Sequence, residues 1–432
     1  MGWLKRLKAW HVALGVVALC GFGGWLTSWI LTRNANAEVA RATRRLRAIG
    51  IPTTPQDMVR NVPEADNAAP LYQQAMNIVR ALNIKEPPFT KPRSTVIDYE
   101  VMASYVKSLD PVMGIVERAS AKPDCYFNRN WSQGDQLLLP EFAELKRFAK
   151  AAAYTARLAS RKGDWKTALH WDEVAFRIAK HADEPMLIGM LVRIAAESIA
   201  LAELDKEIVD SGHKPEFRQA ANALLNRIAP LPQTTLALRY ETASLYITFE
   251  HMARPDYGQH TDDGMDIPSQ LRFFVRLTPV RQAALGKVLN LYADTLERMH
   301  PDPADWKLGI KALGKIDHQI GSDQSVTGYI ASAVTPVFGQ AAYAVGRLQC
   351  QRDIARVALM LYDLKAKQGR FPEQLPASFP NDPLGKGPFV YRTAGDRFVL
   401  YGVGVNGKDD GGKPVGTSAY SDDIEFQVER PK

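Results

Sequence analysis

The sequence predicts a mainly α protein: an N-terminal transmembrane helix, a large α-helical domain, and a small C-terminal α+β module with an antiparallel sheet. Three observations carry this. Residues 10–31 form 22 consecutive positions without Asp, Glu, Lys or Arg. The middle of the chain is alanine-rich, with apolar residues at helical spacing. After Gly369 the composition changes to glycine, proline, aspartate and short alternating aromatic segments.

The anchor comes first. At the helical rise, residues 10–31 reach about 33 Å, enough to cross a hydrocarbon core of roughly 30 Å with every backbone hydrogen bond made internally. Trp10 near one end and Trp25 and Trp29 near the other suit the headgroup zone, so membrane lipid is the partner expected along this stretch. Residues 1–50 hold eight basic side chains (Lys5, Arg6, Lys8, Arg33, Arg41, Arg44, Arg45, Arg47) against the single acid Glu38. The remaining 382 residues hold 46 basic and 46 acidic side chains, which cancel. The basic excess therefore flanks the span, and a nucleic-acid face has no compositional support. A short basic head before a long apolar run is a signal-anchor arrangement. It places the N-terminus inside and the bulk of the chain outside the cytoplasm, in the inner membrane as a single-pass protein. Ala35-Asn36-Ala37 offers a competing signal-peptidase site, with cleavage after Ala37. The uncharged run exceeds the roughly 7–15 residues of a signal core, which favours retention. Bulky Leu19 ahead of Cys20 argues against lipidation. Cys125 and Cys350 are too few for a disulfide framework; they either pair or stay as separate buried thiols.

The chain then divides into a head and anchor (1–37), a helical neck with the first helices (38–84), an α-helical domain (94–340), and a long helix with the small sheet (341–432). Residues 41–49 read as a basic helix broken by Ile51-Pro52-Thr53-Thr54-Pro55. Asp66-Asn67-Ala68-Ala69-Pro70 opens a helix towards Asn83, since Asp or Asn caps well and proline fits the first turn. Residues 85–93, with their prolines, form a linker. The block 139–209 reads as two helices meeting at Lys162-Gly163-Asp164. Trp165, Ala168 and Ala175 give this hairpin a weak similarity to a tetratricopeptide repeat. Asp172 stands where that repeat places an aromatic, and no second copy follows, so a general helical hairpin is expected. On this block Arg193 and Glu197, one turn apart, are placed to neutralise each other. Further helices are expected at 233–252, 268–299 and 341–368. In the last, Cys350, Ile354, Val357, Leu361 and Leu364 draw a narrow apolar stripe. The uncharged stretch 324–346 carries Pro336, Gln340 and several small residues, and is not read as a second span.

After Arg370-Phe371-Pro372 come a turn at 381–385, strands at 389–392 and 397–401, a glycine- and aspartate-rich loop at 402–416, and a closing strand at 422–428. This succession resembles the globular head of the major pseudopilin of type II secretion. The shared order is Gly369-Arg370-Phe371-Pro372, Asp382-Pro383-Leu384-Gly385, Pro388-Phe389-Val390-Tyr391, then residues 398–404, Asn406-Gly407, Gly411-Gly412 and Asp423-Ile424. The resemblance spans about residues 356–426. It implies a pseudopilin-like fold there and a calcium ion in the loop, with Asn406, Asp409 or Asp410, Asp422 and Asp423 as candidate ligands. Calcium takes about six to eight oxygens at a flexible site, which such a loop can supply; the same residues are also ordinary turn formers. Lys5 to Gly15 lack the prepilin-peptidase signature, and more than half of the chain separates span from head. Polymerisation as a pilus subunit is therefore not expected. The layout resembles membrane-anchored bacterial proteins that reuse this head.

Gly402-Val403-Gly404-Val405-Asn406-Gly407 satisfies G-x-G-x-x-G, but residues 408–414 cannot open the helix that would receive a pyrophosphate, so no nucleotide is expected. The one local cluster of reactive side chains is Glu250, His251, His260, Asp262 and Asp263, around a loop holding Pro255 and Gly258. The chain thus reads as a membrane-anchored extracytoplasmic structural or interaction protein of the bacterial cell envelope, non-catalytic, with an unknown protein partner and calcium as the only cofactor considered. The alternatives are an envelope hydrolase using the His/Asp/Glu loop, or an accessory component of a secretion or pilus-like assembly.

Overall fold

The structure, a computed structural model, describes residues 2–88, 97–254, 272–299, 305–335, 338–404, 406–412 and 423–426. It is mostly helical, with one long apolar N-terminal helix and a three-stranded antiparallel sheet near the C-terminus. The helices are α1 (Gly2–Ala48), α2 (Ala69–Ala81), α3 (Tyr99–Ser108), α4 (Asp110–Ser120), α5 (Pro140–Arg161), α6 (Trp165–His181) and α7 (Leu187–Ser211). They continue as α8 (Pro215–Arg227), α9 (Thr234–His251), α10 (Arg272–Arg276), α11 (Thr278–Met299), α12 (Trp306–Gly321), α13 (Val326–Val334) and α14 (Phe338–Gln368). Strands β1 (Val390–Ala394), β2 (Arg397–Gly402) and β3 (Ile424–Glu425) pair in that order.

Local chemistry sets many of the ends. Asp98, Asp164, Asp305 and Ser325 cap α3, α6, α12 and α13 by accepting from backbone N–H groups of the first turn. Pro140 and Pro215 occupy first-turn positions where no N–H is needed. Gly163 turns α5 into α6 at φ +81°, a conformation that a Cβ disfavours. Gly395, at φ +60°, opens the two-residue turn that sets the β1–β2 register, Val390 opposite Tyr401 and Ala394 opposite Arg397.

Two apolar cores result. One gathers α2, α4 to α8 and most of α14, and includes Phe371, Phe389, Leu400, Ile424 and Phe426 from the C-terminal module. The other gathers Ala42 and Leu46 of α1 with α9, α11, α12, α13 and the start of α14. Helix α14 belongs to both and is the axle of the molecule. The β module is consequently built into the main core, tied by the stacked and edge-on rings of Tyr362, Phe371, Phe398 and Phe426. Asp382 joins it further: its carboxylate accepts from Leu384 N at 2.9 Å and Val403 N at 2.8 Å, and lies 3.8 Å from the Cys350 thiol.

Several expectations change. The block 139–209 holds three helices, because Asp183-Glu184-Pro185 interrupts it before α7. The expected helix 268–299 is broken at Leu277, just before Thr278-Pro279, and residues 268–271 lie outside the described residues. The N-cap position of α2 is Ala68 and not Asp66 or Asn67; Asn67, one residue earlier, accepts from Ala69 N at 3.0 Å. The stripe on α14 is too narrow a description, since Leu348, Arg352, Ala355, Ala358 and Leu359 are buried as well. Cys125 and Cys350 are separate buried thiols.

Candidate functional site

Helix α1 is unbroken from the apolar run into the folded domain. Side chains from Leu14 to Leu31 are exposed, whereas Ala35, Ala42 and Leu46 are buried. Within the exposed part Thr27 and Thr32 donate their hydroxyls to Gly23 O and Ser28 O, both at 2.8 Å, so these polar groups need no water. Among the described residues this is the one helix long and apolar enough to cross a membrane. Arg45 pins its base to α11 through Asp294 at 2.6 Å and Glu297 at 2.7 Å.

Beside that base lies a cavity of about 530 Å³ between the end of α1, the turn at Pro55–Met58, and α9. Arg47, Thr53, Ser132, Tyr246, Glu250 and His251 line it. Arg47 Nε donates to Thr53 Oγ1 at 2.7 Å, and the Thr43 and Tyr246 hydroxyls meet at 2.5 Å. The backbone N–H of Thr53, then that of Thr54, donates to the Asp57 carboxylate and holds it below its ordinary range. Burial pushes the Tyr246 phenol up. Two members of the sequence-expected cluster, Glu250 and His251, thus reach one concavity, Glu250 exposed and His251 buried. His260, Asp262 and Asp263 lie outside the described residues.

The C-terminal loop places the calcium candidates unequally. Asp423 is 2% exposed; its Oδ2 accepts from the backbone N–H of Asp410 at 3.0 Å and of Gly412 at 2.9 Å. Its Oδ1 is buried and accepts no hydrogen bond among the described residues. Burial raises its proton affinity against those two donors. Asn406 donates to Asp410 Oδ2 at 2.9 Å. Asp409 is turned to the sheet: it accepts from Tyr401 OH at 2.6 Å and meets Arg392 at 3.2 Å, and the phenol contact lowers its proton affinity. Asp422 lies outside the described residues. Among the described residues no group of three or more His, Cys, Asp or Glu side chains stands ready to hold a metal ion. Among the described calcium candidates, Asp423 Oδ1 is the buried carboxylate oxygen without a hydrogen bond, and the Asp410 carboxylate is held by Asn406.

Buried charge networks escaped the sequence reading. Arg129 bridges Glu141 and Glu184. Arg193 pairs with Asp183 at 2.5 Å and, as the sequence led one to expect, with Glu197 at 3.9 Å; Glu197 also meets Arg352 of α14. The Arg193–Glu197 pair is thus the long middle link of a chain that locks α7 to α14. Asp172 and Glu207 are fully buried close to each other, none of their carboxyl oxygens has a hydrogen-bond partner among the described residues, and both are pushed towards the protonated form by burial. The one signal in the sequence was Asp172 at a position that a helical hairpin normally fills with an apolar ring.

The chain matches no protein-family model, no curated protein and no solved structure.

Proposed function

We propose that this chain is a single-span, membrane-anchored extracytoplasmic protein of the cell envelope whose helical domain serves as a structural or interaction module and not as a catalyst. The supporting observation is α1 itself: one unbroken helix whose apolar stretch is exposed from Leu14 to Leu31 and whose continuation is embedded in the second core. An apolar surface of that length in water is unfavourable at about 25 cal/mol per Å², so lipid is its natural environment. Because the helix does not break between lipid and domain, the domain stands on a stiff post. Carbonate extraction and protease accessibility in intact cells test this. Full-length protein is expected in the membrane fraction with its domain cleavable from outside; an intact N-terminus in the aqueous fraction would remove the proposal.

Calcium belongs to the same proposal as a stabiliser of the C-terminal loop, on the ground that Asp423 Oδ1 is buried without a hydrogen bond among the described residues. The pseudopilin resemblance and the secretion-assembly role rest on the sequence motifs alone. A second reading, an envelope hydrolase, is favoured by Glu250 and His251 lining the cavity beside Ser132 and Tyr246. Glu250→Gln and His251→Ala variants screened against esters and glycosides decide it; hydrolysis lost in both supports the enzyme, and no hydrolysis by the parent protein ends it.

A further inference from the structure

The structure brings a second apolar element to the height of the anchor. Helix α11 runs parallel to α1: Glu38 and Val39 lie against Gly286, and higher up Arg45 meets Asp294 and Glu297. Lower down, Gly23, Gly24, Thr27, Ser28 and Leu31 line one open cleft with Arg276, Leu277, Thr278, Pro279 and Val280, about 730 Å³ in volume. Arg276, the last residue of α10, and Leu277 after it therefore stand beside residues 23–31, with Phe273 and Phe274 in the turn of α10 directly before them. From Leu31 back to Gly23 the axis falls about 12 Å, which is within the outer part of the span.

Val275 packs α10 into the second core, and the opposite face of α10 is bare. Phe273 is 66% exposed, Phe274 and Leu277 are 37% exposed, and the two rings meet edge-on at 5.7 Å. Trp25 and Trp29 on α1 are equally uncovered, at 61% and 48%. Adjacent large apolar side chains exposed as a group mark an interaction surface, unlike single ones scattered over a protein. Nothing has to be invented to cover them, because the bilayer that holds α1 already reaches this level. Arg276 beside the cleft, and Arg33 stacked 5.5 Å over the Trp29 ring, put cations where lipid phosphates lie.

We infer that α10 and Leu277 form a second, interfacial membrane contact, in which Phe273, Phe274 and Leu277 enter the headgroup and upper acyl zone beside Trp25 and Trp29, and a phospholipid occupies the cleft against Gly23 and Gly24. This rests on α1 being in the membrane. A lone helix leaves its domain free to swivel about the helix axis; a second contact beside it sets rotation and tilt.

The test uses the full chain in phosphatidylcholine and phosphatidylglycerol vesicles carrying a clickable acyl chain, with p-benzoylphenylalanine in place of Phe22, Phe273 or Val399 in separate preparations. Val399, exposed on the β module, is the background. Irradiation is expected to attach lipid at positions 22 and 273, the latter at about tenfold over position 399, as for an apolar group held in the interface. Labelling at 22 with position 273 at background overturns the second contact and leaves the anchor standing. Background labelling at all three removes both.

Discussion

Replacing Arg129 by methionine isolates the energetic weight of the buried charge chain. The Arg129 side chain is 4% exposed; its Nε donates to Glu141 at 2.7 Å and its terminal nitrogens reach Glu141 and Glu184, whose side chains are 10% and 1% exposed. Phe127, Trp131 and Phe142 surround the guanidinium at 5.2 to 5.6 Å from their ring centres. Methionine keeps the packing against those rings but leaves two carboxylates buried without their cation. Removing one partner of a buried pair costs about 3–5 kcal/mol, and two stranded carboxylates place Arg129→Met at the upper end of that range at pH 8. Burial pushes the Glu184 carboxyl up to about 7 even with Arg129 present. Such a group binds protons more tightly folded than unfolded, so the stability it carries is full at acid pH and is lost as pH rises through its folded value. The penalty of the variant should therefore shrink between pH 8 and pH 5, as Glu184 takes up a proton instead of standing charged. Urea unfolding of the full chain in detergent, followed by helical circular dichroism at both pH values, measures it. A loss below about 1 kcal/mol at pH 8, the size of an exposed pair, or a loss indifferent to pH, would refute the reasoning. The triple variant Arg129→Met, Glu141→Gln, Glu184→Gln should recover most of the loss.

Asp172→Asn is expected to flatten the pH dependence of melting. Asp172 and Glu207 are held towards the neutral form by burial, so the parent protein loses stability as pH climbs from the ordinary carboxyl range through their raised values; equal slopes between pH 5 and 8 in variant and parent would exclude this pair as the source. In Gly402→Ala the new Cβ would stand 2.7 Å from Cys350 Sγ and 3.0 Å from Asp382 Oδ2. Overpacking of that kind costs about 1–3 kcal/mol, whereas Gly387→Ala, with nothing within 4 Å, should be close to neutral in the same melts. Asp423→Ala should abolish any upward shift in melting that millimolar calcium produces relative to chelator; with an affinity typical of extracellular modules, that shift corresponds to about 1–2 kcal/mol. An unchanged profile in the parent protein would dismiss calcium.

Much of the layout was legible along the chain because it depends on local composition. The apolar run of α1, the turn at Gly163-Asp164, the helices near α9 and α14 and the alternation of β1 and β2 are all written in neighbouring residues. A helix needs its periodic apolar face, and a strand its alternation, whatever lies on the other side. Even Glu250 and His251 were found, since adjacent polar residues at a helix end are visible without coordinates.

Long-range partnership was not legible in the same way. Arg193 and Glu197 do pair one turn apart, at 3.9 Å, but Asp183 and Arg352 make the closer contacts, and those partners have no local signature in the sequence. The absorption of the β module into the main core depends on side chains from α14 and residues 371–426 meeting across the fold. So does the parallel course of α1 and α11, which brings Arg276 and Leu277 beside Gly23 and Gly24. Residue order establishes that this chain carries a membrane-length apolar helix and a helical body ending in a small sheet. Which helices pack beside the apolar one, and which charges hold the body together, follow from packing between segments hundreds of residues apart, where no local pattern records the partner.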